Sequence, residues 1–224
     1  MGEAIGSMLP SALAIAISPF AVVAAVLVLT TRNARVNGLM LALGWAAGVA
    51  TVGGLVLLIA GDSGYDDDKE PATWVSLLFL ALGLTLLVLA VKQWRSRPAP
   101  GATPETPGWM AKIDGLSAPR ILGLGFLLSG PNPKNLLLGA AGAAAIAQSG
   151  ISAAEEATAL AVFVGIASLG VVVPFVAFLL FGAKSERALS GVKDWFSRNN
   201  DTIMTVILVI LGVKLIGDAI SGLG

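Results

Sequence analysis

The sequence predicts an all-α polytopic membrane protein: six transmembrane helices arranged as two inverted-topology three-helix repeats, with helices 1 and 4 broken near the midplane. Three observations predict this class. Charged residues are only 12% of the 224 and hydrophobic ones 56%, with a mean hydropathy of +0.86, where a soluble domain carries about 25% charge. Six apolar stretches approach or exceed the ~20 residues that cross ~30 Å of hydrocarbon. A proline recurs midway through the first and the fourth of them, at Pro19 and Pro133.

The six spans fall at 8–30, 38–60, 73–93, 120–148, 156–182 and 202–221. No positive residue precedes the first, and Arg32 and Arg35 follow it. That charge step reads as an anchor with its N-terminus outside, rather than as a cleaved signal peptide. Alternation then places Arg32 and Arg35; Lys92, Arg95, Arg97, Lys112 and Arg120; and Lys184, Arg187, Lys193 and Arg198 in cytoplasmic loops. These are eleven of the 14 basic residues. The opposite loops hold Lys69 among Asp62, Asp66, Asp67, Asp68 and Glu70, and then Glu155 and Glu156. The positive-inside rule therefore puts both termini outside.

Three regions follow: 1–94 and 120–224 as the three-helix repeats, and 95–119 as a cytoplasmic loop whose Pro98, Pro100, Pro104, Pro107 and Pro119 keep it extended. Trp74 and Trp94 flank the third span as interfacial anchors. Within 184–198, Ala188, Leu189, Val192, Trp195 and Phe196 share one helical face opposite basic residues, which predicts a segment lying in the inner interface.

The composition excludes much chemistry. Without Cys there is no thiolate relay or disulfide, and without His no HExxH zinc site, Ser-His pair or imidazole shuttle. No metal or other cofactor is expected. Balanced charge, 14 basic against 14 acidic, gives no sign of nucleic acid as a partner. An enzyme would have to rest on Ser129 with Lys134 five residues on, a spacing at which helical side chains do not face each other; no enzymatic activity is expected.

An odd number of spans per half inverts one half relative to the other, a common transporter architecture. Ser18-Pro19 and Asn132-Pro133 are its recurring feature. Proline removes a donor and clashes with the carbonyl four residues back, so Pro19 releases Ile15, Pro133 releases Ser129 and Pro131 releases Leu127. Ser and Asn are favoured N-caps and Pro the favoured first helical residue, so each site reads as a helix restarting inside the membrane. Two such N-termini aimed at one region would favour an anion. An ordinary proline kink is the alternative.

Lys134 follows at once, and a lysine at bilayer depth costs ~2.5–3.5 kcal/mol on insertion scales. Its counter-ion is a substrate carboxylate, phosphate or sulfate; or it is neutral at rest and takes up a proton during a cycle; or it bonds released carbonyls as structural glue. Ser18, Pro19, Ser129, Asn132, Pro133, Lys134 and Asn135 are the candidate substrate-binding residues. Lys214 and Asp218, four apart on one helical face, are secondary candidates better explained by an internal ion pair. Thr51, Thr85 and Ser168 are further polar residues in spans. Gly44 and Gly48, and the run Gly139–Ala145, predict close helix packing or a dimer seam. Pro174 is expected to kink the fifth span, leaving the Gly170 carbonyl without its partner.

Gly125-Phe126-Leu127-Leu128 followed by Asn132-Pro133-Lys134 resembles the GF…NPK signature in the fourth helix of LysE/RhtB-type exporters. Ser18-Pro19-Phe20 through Arg32, with Gly44-Trp45, is similar to another branch of that superfamily, the GAP family of sulfolipid-1-addressing protein-like members. The resemblance covers essentially the whole chain. It implies a bacterial cytoplasmic (inner) membrane protein that exports an anionic amphiphile, an envelope (glyco)lipid or its precursor, with an MmpL-type lipid exporter as possible partner and a homodimer as expected assembly. Ser18-Pro19-Phe20-Ala21 departs from the Pro-Gly-Pro element of the amino-acid exporters. Two alternatives stay open: an exporter of small amino-acid-like or organic-acid metabolites, and a non-transporting accessory of a larger lipid exporter.

Overall fold

The structure, a computed structural model, describes residues 1–61, 73–96, 113 and 115–223. The acidic loop around Lys69 and most of the Pro-rich loop 95–119 lie outside the described residues. What is described is helical, without a strand: α1 (Gly2–Ala16), α2 (Pro19–Leu29), α3 (Ala34–Gly61), α4 (Thr73–Arg95), α5 (Ala118–Ser129), α6 (Pro133–Ala147), α7 (Ala153–Ala167), α8 (Leu169–Phe181) and α9 (Glu186–Ser221), with a 3-10 turn, Gly182–Ser185, before the last.

Three of these, α3, α4 and α9, are long and apolar enough to cross a membrane. The pairs α1–α2 and α7–α8 are bent by 49° and 60°, and five spans result if each pair counts as one. The stretch expected as the fourth span is divided between α5 and α6 by residues 130–132. Large apolar side chains face outward, Leu58 at 73% and Leu180 at 71% exposure, as a lipid-facing surface requires.

Local chemistry explains the boundaries. Pro19 and Pro133 each open a helix, and the residues before them, Ser18 and Asn132, are extended. Ser152 and Glu155 form a capping box that starts α7. Asn37 donates to the Thr31 hydroxyl at 2.9 Å, which donates to the Val28 carbonyl at 2.7 Å, closing the turn from α2 into α3.

Two expectations change. The bend of the fifth span lies at Ser168, and Pro174 sits inside α8 six residues later. Just past the bend α8 lies close against α1: a Cβ on Gly170 would collide with the Ala16 carbonyl oxygen. The segment 184–198 is no separate helix: it runs from the 3-10 turn Gly182–Ser185 into α9, which continues unbroken from Glu186. Leu189 and Phe196 pack on Val22, Val26 and Leu29 of α2 and on Phe175 and Phe178 of α8, so half of the amphipathic face is spent inside the protein.

The helices pack closely through glycine. α4 runs along α9, α3 along α5 and α6, α1 along α6 and α7, and α2 against α8 and α9. Cβ atoms at Gly44 and Gly48 would strike the Leu122 carbonyl and the Ser129 hydroxyl of α5, and one at Gly125 the Leu41 carbonyl. The Gly44-Gly48 step is thus spent within one chain, which removes it as a dimer seam. Within the Gly139–Ala145 run, Gly139 faces Val52 and Gly142 faces Phe163, again packing. Gly44→Ala is expected to cost about 1–3 kcal/mol, because backbone must move, while Gly54→Ala, with open space around it, is neutral or gains up to ~1 kcal/mol. Thermal aggregation of the two variants in detergent, followed by size exclusion, checks the contrast; equal melting would sink the α3–α5 interlock.

Candidate functional site

The residues at the α5–α6 break gather around one another. α5 ends at Ser129, buried, with its hydroxyl donating to the Phe126 carbonyl at 3.2 Å. Asn132 accepts from the Lys134 backbone N–H at 3.2 Å, the capping bond that restarts the chain as α6. Asn135, also buried, turns back and donates to the Leu128 carbonyl at 3.1 Å. The opposite oxygen of that amide, Oδ1, is buried without a hydrogen bond among the described residues. Asn132 and Asn135 thus supply from side chains what the helix lost.

Lys134 stands apart from this repair. Its half-buried ammonium reaches α9 and donates to the Met204 Sδ at 3.2 Å. A thioether is a weak acceptor, and no carboxylate pairs with Lys134 among the described residues. Met204 is six residues past Arg198, about 9 Å along the helix. The ammonium therefore lies within reach of the basic end of α9.

The other candidates make contacts of their own. Ser18 is buried in the N-cap position but its hydroxyl makes no capping bond, and its N–H bonds the Ile15 carbonyl at 3.1 Å. The carbonyl expected to be free at this break is therefore taken locally. Ser18 and Pro19 follow Ala16, whose carbonyl meets α8 at Gly170, and the Lys134 break adjoins α3 and α9; α1 also packs along α6, its Ser7 hydroxyl reaching the Ala145 carbonyl at 3.5 Å. Lys214 and Asp218 form an ion pair at 2.6 Å on α9, ten residues or about 15 Å from Met204. Thr51 and Thr85 are exposed and bond carbonyls of their own helices, Ala47 and Ala81, each at 2.7 Å. Ser168 is buried at the α7–α8 break with its hydroxyl unbonded among the described residues.

Sequence reasoning passed over two features. The fully buried Trp45 donates its indole N–H to the Ala167 carbonyl at 3.2 Å. At the α7–α8 break the Val171 N–H turns to Ser168, so Trp45 takes up an acceptor that an unbroken helix would have filled. The second is a polar cluster between α4 and α9. Asp201 Oδ1 accepts from Gln93 and, at 2.8 Å, from Asn200. The signal in the sequence is Asn199-Asn200-Asp201 ahead of an apolar run, which names no partner by itself.

Residues 8–221 match the family described as Sap, sulfolipid-1-addressing protein. The chain belongs to the sulfolipid-1-addressing protein family. No curated protein and no solved structure matches it. The family match and the apolar helices support a membrane role connected with lipid, and the match spans both the Ser18-Pro19 break and the Lys134 site. Trp45→Phe is expected to leave the Ala167 carbonyl buried and unpaired, costing about 1–3 kcal/mol. The check is chemical denaturation in detergent against Trp94→Phe, at a half-exposed position; indistinguishable midpoints would remove Trp45 from the support of that break.

Proposed function

We propose that this member of the sulfolipid-1-addressing protein family exports an anionic amphiphile, an envelope lipid or its precursor, outward across the cytoplasmic membrane, with Lys134 holding the charged group. The observation that carries the reading is Lys134 itself. An ammonium inside an apolar bundle, resting on a thioether beside a helix N-terminus, has the potential of a cation and forms no ion pair among the described residues. An anionic head group completes it.

The wider architecture of the proposal is six spans in two inverted repeats, both termini outside, related to LysE-type exporters through the GAP branch. The reciprocal packing supports it: α1 and α2 of the first half meet α7 and α8 of the second, α3 meets α5 and α6, and α4 meets α9. Exchanging the halves leaves that pattern of neighbours in place. A larger MmpL-type lipid exporter is the proposed partner, and a homodimer the proposed assembly.

The test compares surface-extractable and total lipid in a deletion strain carrying wild type, Lys134→Ala or nothing. One lipid class is expected to leave the surface fraction while persisting in total lipid, with full recovery by wild type and none by Lys134→Ala at equal protein level. Full recovery by Lys134→Ala refutes the site. Matching lipid profiles with a soluble metabolite retained in the cytosol would replace the amphiphile by a small anion. A protein that moves nothing in liposomes but co-purifies with a lipid pump would make it an accessory.

A further inference from the structure

We propose that Asp201 is the resting counter-ion of Lys134, and that an anionic substrate enters the site by displacing the ammonium from it. The inference rests on the reading of Lys134 as the anion-binding group.

The structure shows the pair open, with no ion pair between Lys134 and Asp201 among the described residues. Asp201 precedes Met204 by three residues on α9, which puts the two on one face about 4.5 Å apart along the axis. Lys134 Nζ already rests on the Met204 sulfur, and its four-carbon stem is flexible. One of three ammonium donors is spent on a weak acceptor. On the other side, Asp201 directs both of its hydrogen bonds, from Gln93 and Asn200, onto Oδ1. Among the described residues Oδ2 accepts none, so the carboxylate is held from α4 with one oxygen to spare. Asn200 adds a buried Oδ1 that is likewise unbonded among the described residues.

Position along the helix gives the pair a task. Arg198 lies three residues before Asp201, and Arg95 two residues after Gln93, so the carboxylate stands between the basic end of the α4–α9 pair and Lys134. An anion drawn to that basic end must compete with Asp201 for the ammonium. Weakly held inorganic anions fail in that competition, whereas an amphiphile brings the burial of its tail as additional driving force.

Solution NMR of detergent-solubilised protein labelled with ¹⁵N-lysine tests the pair directly. The Lys134 Nζ signal is assigned by its loss in Lys134→Gln. Asp201→Asn is expected to move that signal, while Asp218→Asn moves only the signal of Lys214. Should Asp201→Asn not fold, Gln93→Ala frees the carboxylate without removing it and moves the same signal by less. A second readout is binding of a fluorescent phosphatidic acid in the same micelles. If the pair is closed about nine-tenths of the time, Asp201→Asn tightens binding by about tenfold, and in the Lys134→Gln background it gains nothing. An unmoved Lys134 signal, or an equal gain in both backgrounds, overturns the proposal. A moved signal with no probe bound by any form leaves the ion pair standing but removes the anion site, and displacement falls with it.

Discussion

Lipid offers no hydrogen bonds, so every helix break inside an apolar bundle must be repaired by the protein itself. This constraint organises the molecule, because the chain breaks three times, at 17–18, at 130–132 and at Ser168. Each repair comes from a different source. Ser18 closes the first through its own backbone, Asn132 and Asn135 close the second with side chains, and Trp45 reaches across from α3 to close the third. Trp45 lies on α3 between Gly44 and Gly48, which let that helix lie against the backbone of α5. One helix therefore touches both the second and the third break.

The repair at the second break has a consequence for chemistry. Two asparagines satisfy the backbone, so the lysine between them has no structural duty there. Its ammonium is released toward α9, where it finds sulfur instead of oxygen. A lysine acting as structural glue would bond a carbonyl at the break; the Leu128 carbonyl goes to Asn135, and the Lys134 ammonium bonds the Met204 sulfur. That division of labour favours a ligand role over a packing role for Lys134.

Much of this was legible in the sequence, and for physical reasons. Prolines preceded by Ser or Asn mark helix restarts wherever they occur, so the breaks at Pro19 and Pro133 could be read from dipeptides. The Lys214–Asp218 pair follows from helical spacing alone. The third break was not legible at its true position, because the helix breaks at Ser168 without a proline, and the close approach of Ala16 to Gly170 beside it joins residues far apart in the chain. Trp45 was quoted only as part of a resemblance, since nothing local indicates that its indole is aimed at a distant carbonyl. Asp201 was missed for the same reason: its partner Gln93 is more than a hundred residues away. The unbroken course of α9 hid it further, because basic residues up to Arg198 suggested that the helix began later.

The location of Lys134 bears on the kind of molecule it can hold. Met204 is buried, but on the far side of the same helix Val206, Ile210 and Val213 are more than half exposed, where lipid would lie. The ammonium is thus separated from the surrounding hydrocarbon by the width of a single helix. A small zwitterion gains nothing from that proximity and would be served better by a site at the centre of the bundle, screened on all sides. An amphiphile has two requirements that pull apart, a polar environment for its head and a continuous apolar one for its tail. A cationic site one helix deep meets both, since the head can rest on Lys134 while the tail never leaves the bilayer. Under the proposed reading the barrier that remains is the passage of the head group alone, with the basic end of α9 to one side of the site.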